Sequence, residues 1–471
     1  MLILPIHKQF ATLGNTFYSN VTPKPLPDPE MVVYSAEAAA LVNLPKMASY
    51  DIIRTFSGNN TFQDYAPLAA VYAGHQFGYY VPELGDGRAM MIAESQGYEI
   101  QIKGSGKTPY SRFGDGRAVL RSSIREFLCS EAMAALDIPS TRALCVINGS
   151  EPVQRERVET AAMLTRLAPS HIRFGSFEYF YYNNDMDALR KLADFCVSQY
   201  FSEAANAKNP YAAMLTEISQ RTGKLIAQWQ AVGFAHGVMN TDNMSVCGLT
   251  LDYGPFGFHD AFNAHYICNH SDENGRYAFD QQPAVGLWNL NALARALSPL
   301  MTQEEIVVAL RSYEPAFIMH YETHMRLKLG LHMQHPDDGA FIASTLKLLH
   351  DNSIDYTLFF RCLSHDCAEE IIPQNSVDSY RQWKLLYDNR LNQESLSPQE
   401  RKTAMLNVNP KYILRNYLAE NAIAEAESGN YAEVQTLHSL LKTPYDEQPE
   451  YDAYAQLPPK WAKDICISCS S

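Results

Sequence analysis

The sequence predicts an α+β chain of two lobes, strand-rich first and helical afterwards, and three observations carry that prediction. Between Tyr80 and Gly104 the chain reads strand, turn, strand, with Leu84-Gly-Asp-Gly-Arg88 as the turn and Tyr98-Glu-Ile-Gln-Ile-Lys103 alternating as a half-buried strand does. From Ala118 to Leu136 the period is helical: Leu120, Ile124, Phe127 and Leu128 share a face, and Asp137-Ile-Pro-Ser140 ends the run. Beyond about residue 280 the pattern is mostly helical, and Thr302-Gln-Glu-Glu305 and Ser397-Pro-Gln-Glu400 read as capping boxes.

The elements between these follow in order. Residues 1–75 are mixed, and Pro23, Pro25, Pro27 and Pro29 mark extended surface chain. Ala143-Leu-Cys-Val-Ile147 reads as a strand and Asn148-Gly149 as a turn. Two long helical patterns lie near 185–202 and 210–235, and short strands and loops fill the stretch from Gly237 to about 280. With no repeat, low-complexity tract or Gly/Ser linker, the expected units are soft-edged. They are an N-terminal segment packing on the core (1–75), a strand-rich smaller lobe (76–165), a larger lobe (166–300) and a helical extension (301–471).

Composition narrows the function classes. The 471 residues carry 38 Lys+Arg against 52 Asp+Glu, a formal charge of −14, which argues against a general nucleic-acid binder. No run of 18 apolar residues predicts a membrane-spanning helix, and the start lacks the basic region of a signal peptide, so a soluble, cytoplasmic monomer is expected. Nine scattered cysteines do not form a disulfide framework.

One phosphate-binding motif is a decoy. Gly104-Ser-Gly-Lys-Thr108 ends like a P-loop, but position 101, where that motif needs glycine, is Gln, and Pro109 stands where its helix would run. The stronger constellation is His236-Gly-Val-Met-Asn-Thr-Asp-Asn243 with Asp252-Tyr-Gly254 nine residues on. Aligned on the spacing of a protein-kinase catalytic loop, Asn243 and Asp252 take the metal-binding positions, while the base position holds Val238, which cannot accept a proton. Asp242, directly before Asn243, offers a carboxylate instead. Upstream, Lys103 ends a strand and Glu126 follows within the predicted helix, the pairing by which such a site orients a phosphate-binding lysine. An isolated loop acid is more often a turn-former, and any single Lys–Glu pair is more often a solvated surface; four elements in the right order weaken those ordinary readings. Gly85 and Gly87 beside Arg88, the turn at Asp115-Gly116, and Arg166 with Arg173 add backbone N–H groups and guanidinium forks suited to phosphate, although plain turns and surface ion pairs use the same residues.

The motifs Tyr72-Ala-Gly-His-Gln-Phe-Gly78, Leu84-Gly-Asp-Gly-Arg88, Thr108-Pro-Tyr-Ser-Arg-Phe-Gly-Asp-Gly-Arg117, Arg166-Leu-Ala-Pro-Ser-His-Ile-Arg-Phe-Gly175, Ala235-His-Gly-Val-Met-Asn-Thr-Asp-Asn243 and Asp252-Tyr-Gly-Pro-Phe-Gly257 resemble the selenoprotein O family, from about residue 70 to the end. The resemblance implies a protein-kinase-like bilobal (pseudokinase) fold that binds ATP in a flipped orientation. It further implies transfer of AMP, or of UMP from UTP, to Ser, Thr or Tyr of protein substrates, with Mg²⁺ or Mn²⁺. By motif, Gly85, Gly87, Arg88, Lys103, Asp115, Gly116, Arg166, Arg173 and Asp252 would bind nucleotide and Glu126 would orient Lys103. Asn243 and Asp252 would hold metal, and Asp242 would be the proton acceptor. Cys466-Ile-Ser-Cys469 stands where some members carry selenocysteine, and pairing of Cys268 with Cys469, in preference to Cys466, would make activity redox-sensitive. An ATP-dependent phosphotransferase and a non-catalytic nucleotide-binding scaffold stay open as alternatives.

Overall fold

The structure, a computed structural model, describes residues 2 and 4–468. Its first third is organised by one antiparallel sheet. The strands are β1 (Tyr18–Asn20), β2 (Glu30–Tyr34), β3 (Leu68–Ala70), β4 (Gly74–Gln76), β5 (Tyr79–Val81), β6 (Ala89–Ser95), β7 (Tyr98–Lys103), β8 (Ala118–Val119), β9 (Arg142–Gln154) and β10 (Val158–Ala168). Their order across the sheet is β1-β3-β6-β7-β10-β9-β2, with β8 on β10, while β4 and β5 form a separate small hairpin. Residues 18–70 thus contribute three strands to the sheet, not merely a segment laid on it. Helices α1 (Ala36–Leu41) and α2 (Tyr50–Phe56) connect β2 to β3, and α3 (Leu120–Ala135) packs against β9 and β10.

After β10 the chain turns helical through α4 (Phe174–Tyr182), α5 (Met186–Tyr200) and α6 (Pro210–Val232). Helix α6 has a side-chain cap from Asn209, Pro210 in its first turn and a left-handed Gly233 at its end, so both boundaries are written in the sequence. Among the described residues nine further α-helices run from Gln282–Leu297 to Ala432–Leu441, and both predicted capping boxes form, at Thr302 and Ser397. The main hydrophobic cluster joins the sheet, α3 to α6 and the last two helices. A second, aromatic one forms around Tyr356, Phe359, Trp383 and Tyr387. No helix among the described residues is long and apolar enough to cross a membrane.

Three local expectations change. Asn148-Gly149 is not a turn: β9 runs through it as a 13-residue strand, and the register slips opposite Thr160 and Ala162, so the Asn-Gly signal marks an irregularity in the ladder. The turn before β7 is at Gln96-Gly97, both at positive φ, because residues 79–81 pair with β4 rather than with β6. Strand β7 is buried on both faces, not half-buried, because each polar residue has a partner there. Glu99 accepts from His171, Gln101 meets Asp86 and Arg166, and Lys103 meets Glu126.

Candidate active site

Lys103, at the end of β7, looks into a cleft of about 880 Å³ whose lining also includes Gly85, Gly87, Arg88, Asp115, Gly116, Glu126, Arg166, Arg173, Asp242, Asn243 and Asp252. Twelve residues spread over 168 positions therefore meet in one place. Strand β7 delivers Lys103, the neighbouring β10 delivers Arg166, and α3 brings Glu126 beneath them. Lys103 Nζ donates to Glu126 Oε2 at 2.5 Å and also to Asp252 Oδ1; Arg166 donates to Glu126 Oε1 at 3.0 Å, to Gln101 Oε1 and to the Leu251 carbonyl. Burial raises the Glu126 carboxyl above its ordinary value against the pull of Lys103. Burial works the same way on Asp252, yet Lys103 and Arg166 overcome it and hold that carboxylate well below the usual range.

Helix α3 is itself braced from the far end of the chain. Arg125, next to Glu126, donates to Asn416 at 3.1 Å and faces Glu420 at 3.5 Å, and Phe127 meets the His438 ring at 5.0 Å between centroids. The C-terminal helices Asn416–Glu427 and Ala432–Leu441 thereby reach back to the helix that positions Glu126.

Opposite lies the loop after α6. Strands β11 (Phe234–Ala235) and β12 (Gly257–Phe258) pair at its base, and Thr241–Asn243 form a single 3-10 turn. His236 is buried against Trp229, and burial lowers it to about 4, so it stands neutral as a packing group. Asn243, which lines the cleft, donates its amide N–H to the Val238 carbonyl at 3.0 Å, so its amide oxygen is the group that can accept. Asp242 is 8% exposed, and burial lifts it to about 6 despite Arg173 and Gln76. Arg173 caps α4, donates to the Asp242 carbonyl at 2.7 Å and lies over the Tyr72 ring.

Some predicted residues do more structural work than expected. Gly85 has φ +73, and a Cβ there would sit 2.4 Å from the Tyr110 ring, so the glycine admits the 104–117 loop over its own turn. That loop has no helix where a P-loop would, in keeping with the rejected motif. Asp115 lines the cleft, but Arg155 grips its carboxylate at 2.7 and 3.0 Å and the Arg117 N–H at 2.8 Å; those bonds, Arg155 foremost, lower its pKa. Arg88 is exposed at the rim. Cys268 lies outside the cleft, under Gly237, with its thiol 3.0 Å from the Pro255 carbonyl; Cys469 is outside the described residues.

Sequence reasoning gave no role to Tyr72, Gln76, Asp86 or Gln101, all of which reach the site. Gln101 was within reach, since it stands two residues before Lys103 and so shares its face of β7. The others depend on contacts between distant segments.

A family model described as protein adenylyltransferase SelO matches residues 1–442. Proteins named protein nucleotidyltransferase YdiU are 52% identical in Thiobacillus denitrificans over 98% of both chains, and 49% in Vibrio parahaemolyticus over 98% of both. The one in Pseudomonas fluorescens is 47% identical over 99% of both. A full-length match at this identity, on a chain whose cleft gathers the motif residues, leaves one conclusion: the chain belongs to the SelO family of protein nucleotidyltransferases.

Proposed function

We propose that the cleft transfers AMP from ATP to Ser, Thr or Tyr hydroxyls of proteins and releases pyrophosphate. One observation carries this beyond family membership. The phosphate- and metal-type residues and the carboxylate of Asp242 line one cleft, while Val238 occupies the position of a kinase base. In the reaction, the acceptor oxygen attacks the α-phosphorus, its proton passes to Asp242, and the bond from phosphorus to the bridging oxygen breaks with its electron pair on pyrophosphate. Lys103, Arg166 and Arg173 orient and neutralise the phosphates, and Glu126 steadies Lys103.

The donor set suits Mg²⁺ or Mn²⁺. Asp252 and the Asn243 amide oxygen are hard oxygen ligands lining the same cleft, and such ions usually take few protein ligands and complete their shell with phosphates and water. Among the described residues no cluster of three His, Cys, Asp or Glu forms a metal site without the nucleotide. When bound, the ion offsets charge on the α-phosphoryl and the leaving pyrophosphate.

The same reading takes the fold as kinase-like and bilobal, with the sheet bearing Lys103 as the smaller lobe and the helices after residue 166 as the larger. It takes the protein as a cytoplasmic monomer. The nucleotide is flipped, with its α-phosphate toward Asp242, as the family resemblance implies. Cys268 is read as pairing with Cys469 under oxidation by a disulfide such as oxidised glutathione, which takes up the two electrons and two protons. Support comes from the His270 N–H, which donates to the Ile467 carbonyl at 2.9 Å and so brings the chain ahead of Cys469 beside the segment after Cys268.

The decisive experiment supplies ATP labelled on the α- or the γ-phosphate, with Mg²⁺ or Mn²⁺, under reducing conditions. Label entering protein only from the α position is expected. Label from the γ position alone would mean a phosphotransferase and overturn the mechanism. No label from either would favour the scaffold.

A further inference from the structure

We infer that Gln76 is a positioning residue for Asp242, and that the β4–β5 hairpin carrying it is the clamp that fixes the Asn240–Asn243 loop. This rests on the reading of Asp242 as proton acceptor. That loop is one 3-10 turn, too short to hold its own side chains in register. The hairpin supplies what it lacks. The His75 N–H donates to Thr241 Oγ1 at 2.7 Å; the Phe77 N–H donates to Asn240 Oδ1 at 3.2 Å and to the Tyr277 hydroxyl at 2.9 Å. Between these anchors Gln76 Nε2 donates to Asp242 Oδ2 at 3.2 Å.

Strand alternation makes the arrangement two-sided. His75, pointing the other way from Gln76, places Nδ1 2.5 Å from Glu178 Oε1 on α4, and the other Glu178 oxygen accepts the Thr241 hydroxyl. Hairpin and loop are thus pinned to the same fully buried carboxylate. Gly74 completes the fit: a Cβ there would stand 2.6 Å from Asp242 Oδ1 and 2.9 Å from its Cβ, so any side chain would displace the carboxylate. The two Asp242 oxygens end up unequal. Oδ2 is held by Gln76, and Oδ1 is buried without a hydrogen-bond partner among the described residues. One oxygen is fixed by a neutral amide that donates and does not compete for a proton, and the other is left to take one.

The test measures initial rates of α-labelled ATP transfer to a clarified bacterial protein extract in Mg²⁺ buffer, for wild type, Gln76→Met, Asp242→Asn and the double variant. Losing one hydrogen bond to a charged group is expected to lower kcat about 10- to 100-fold in Gln76→Met. The KM and Kd for ATP and the melting temperature should stay near wild type. In the Asp242→Asn background the same change should cost nothing further, because its effect acts through that carboxylate. Wild-type kcat in Gln76→Met, a loss confined to KM, or full additivity in the double variant would overturn the inference. Were Asp242→Asn itself fully active, the reading of Asp242 as acceptor would fall first; an inactive Asp242→Asn beside an unaffected Gln76→Met would sink the Gln76 role alone.

Discussion

The two walls of the cleft hold their carboxylates by opposite means. Asp252 sits among cations: Lys103 bridges it to Glu126, and Arg166 stands 3.4 Å away, so opposite charge fixes its position and lowers its pKa. Asp242 sits against a glycine, an amide and a backbone, and burial raises it to about 6. Asp252 is thus kept ionised by charge, whereas desolvation raises the proton affinity of Asp242. On the proposed reading the site needs both an anion for metal and a proton acceptor for catalysis, and it would draw them from two carboxylates in different surroundings.

The comparison breaks most completely at Asp252. Asp252→Ala is expected to abolish transfer and metal-dependent ATP binding; a normal metal titration in calorimetry would contradict it. Next comes Asp242→Ala, which should keep ATP binding but lose about 100- to 10,000-fold in transfer rate, the range for a missing general base. Lys103→Met should destabilise the fold by about 1.5–3 kcal/mol, because Glu126 and Asp252 lose a charged donor and keep only Arg166, and denaturant unfolding would register it.

Two finer predictions concern Asp242 alone. If the ionised form of Asp242 is the acceptor, as proposed, kcat/KM should climb with pH to a plateau above about 6 and fall below it, and a flat profile from pH 5 to 8 would count against the assignment. The same shift has a stability consequence of definite sign. A carboxyl whose folded pKa lies above its unfolded value favours folding when protonated, and that contribution is lost as pH rises from about 4 through about 6. Asp242→Asn should therefore be more stable than wild type at pH 7, by about 2–3 kcal/mol, and the gain should vanish near pH 4. Equal melting temperatures at pH 7 would refute it.

How legible each wall was in the sequence follows from how it is built. The Lys103, Glu126, Asn243 and Asp252 set was readable because each belongs to a local pattern: a strand end, a helix position, a loop spacing. The main helices were readable for the same reason, since α3, α5 and α6 carry their apolar period and α6 its caps within a single segment. The hairpin is visible in the sequence only as a short motif. Nothing in Gly74-His-Gln-Phe-Gly78 says that it lies on a loop 166 positions away, and the Asn-Gly at 148–149 misled because a turn signal inside a strand looks the same as one at its end. The C-terminal helices were likewise readable as helices, yet their brace on Arg125 and Phe127 was not.

What the sequence determined alone was therefore the outline of alternating strand-rich and helical parts, the family, and a set of residues that line one cleft, all written in short-range spacing. Only the tertiary structure decided which oxygens are held and which are free. It also decided that Asp115 is already gripped by Arg155, and that β7 is buried on its polar face. Those outcomes depend on burial and on partners brought from distant segments, and desolvation, which sets the Asp242 proton affinity, is a property of the packed surroundings rather than of the residue.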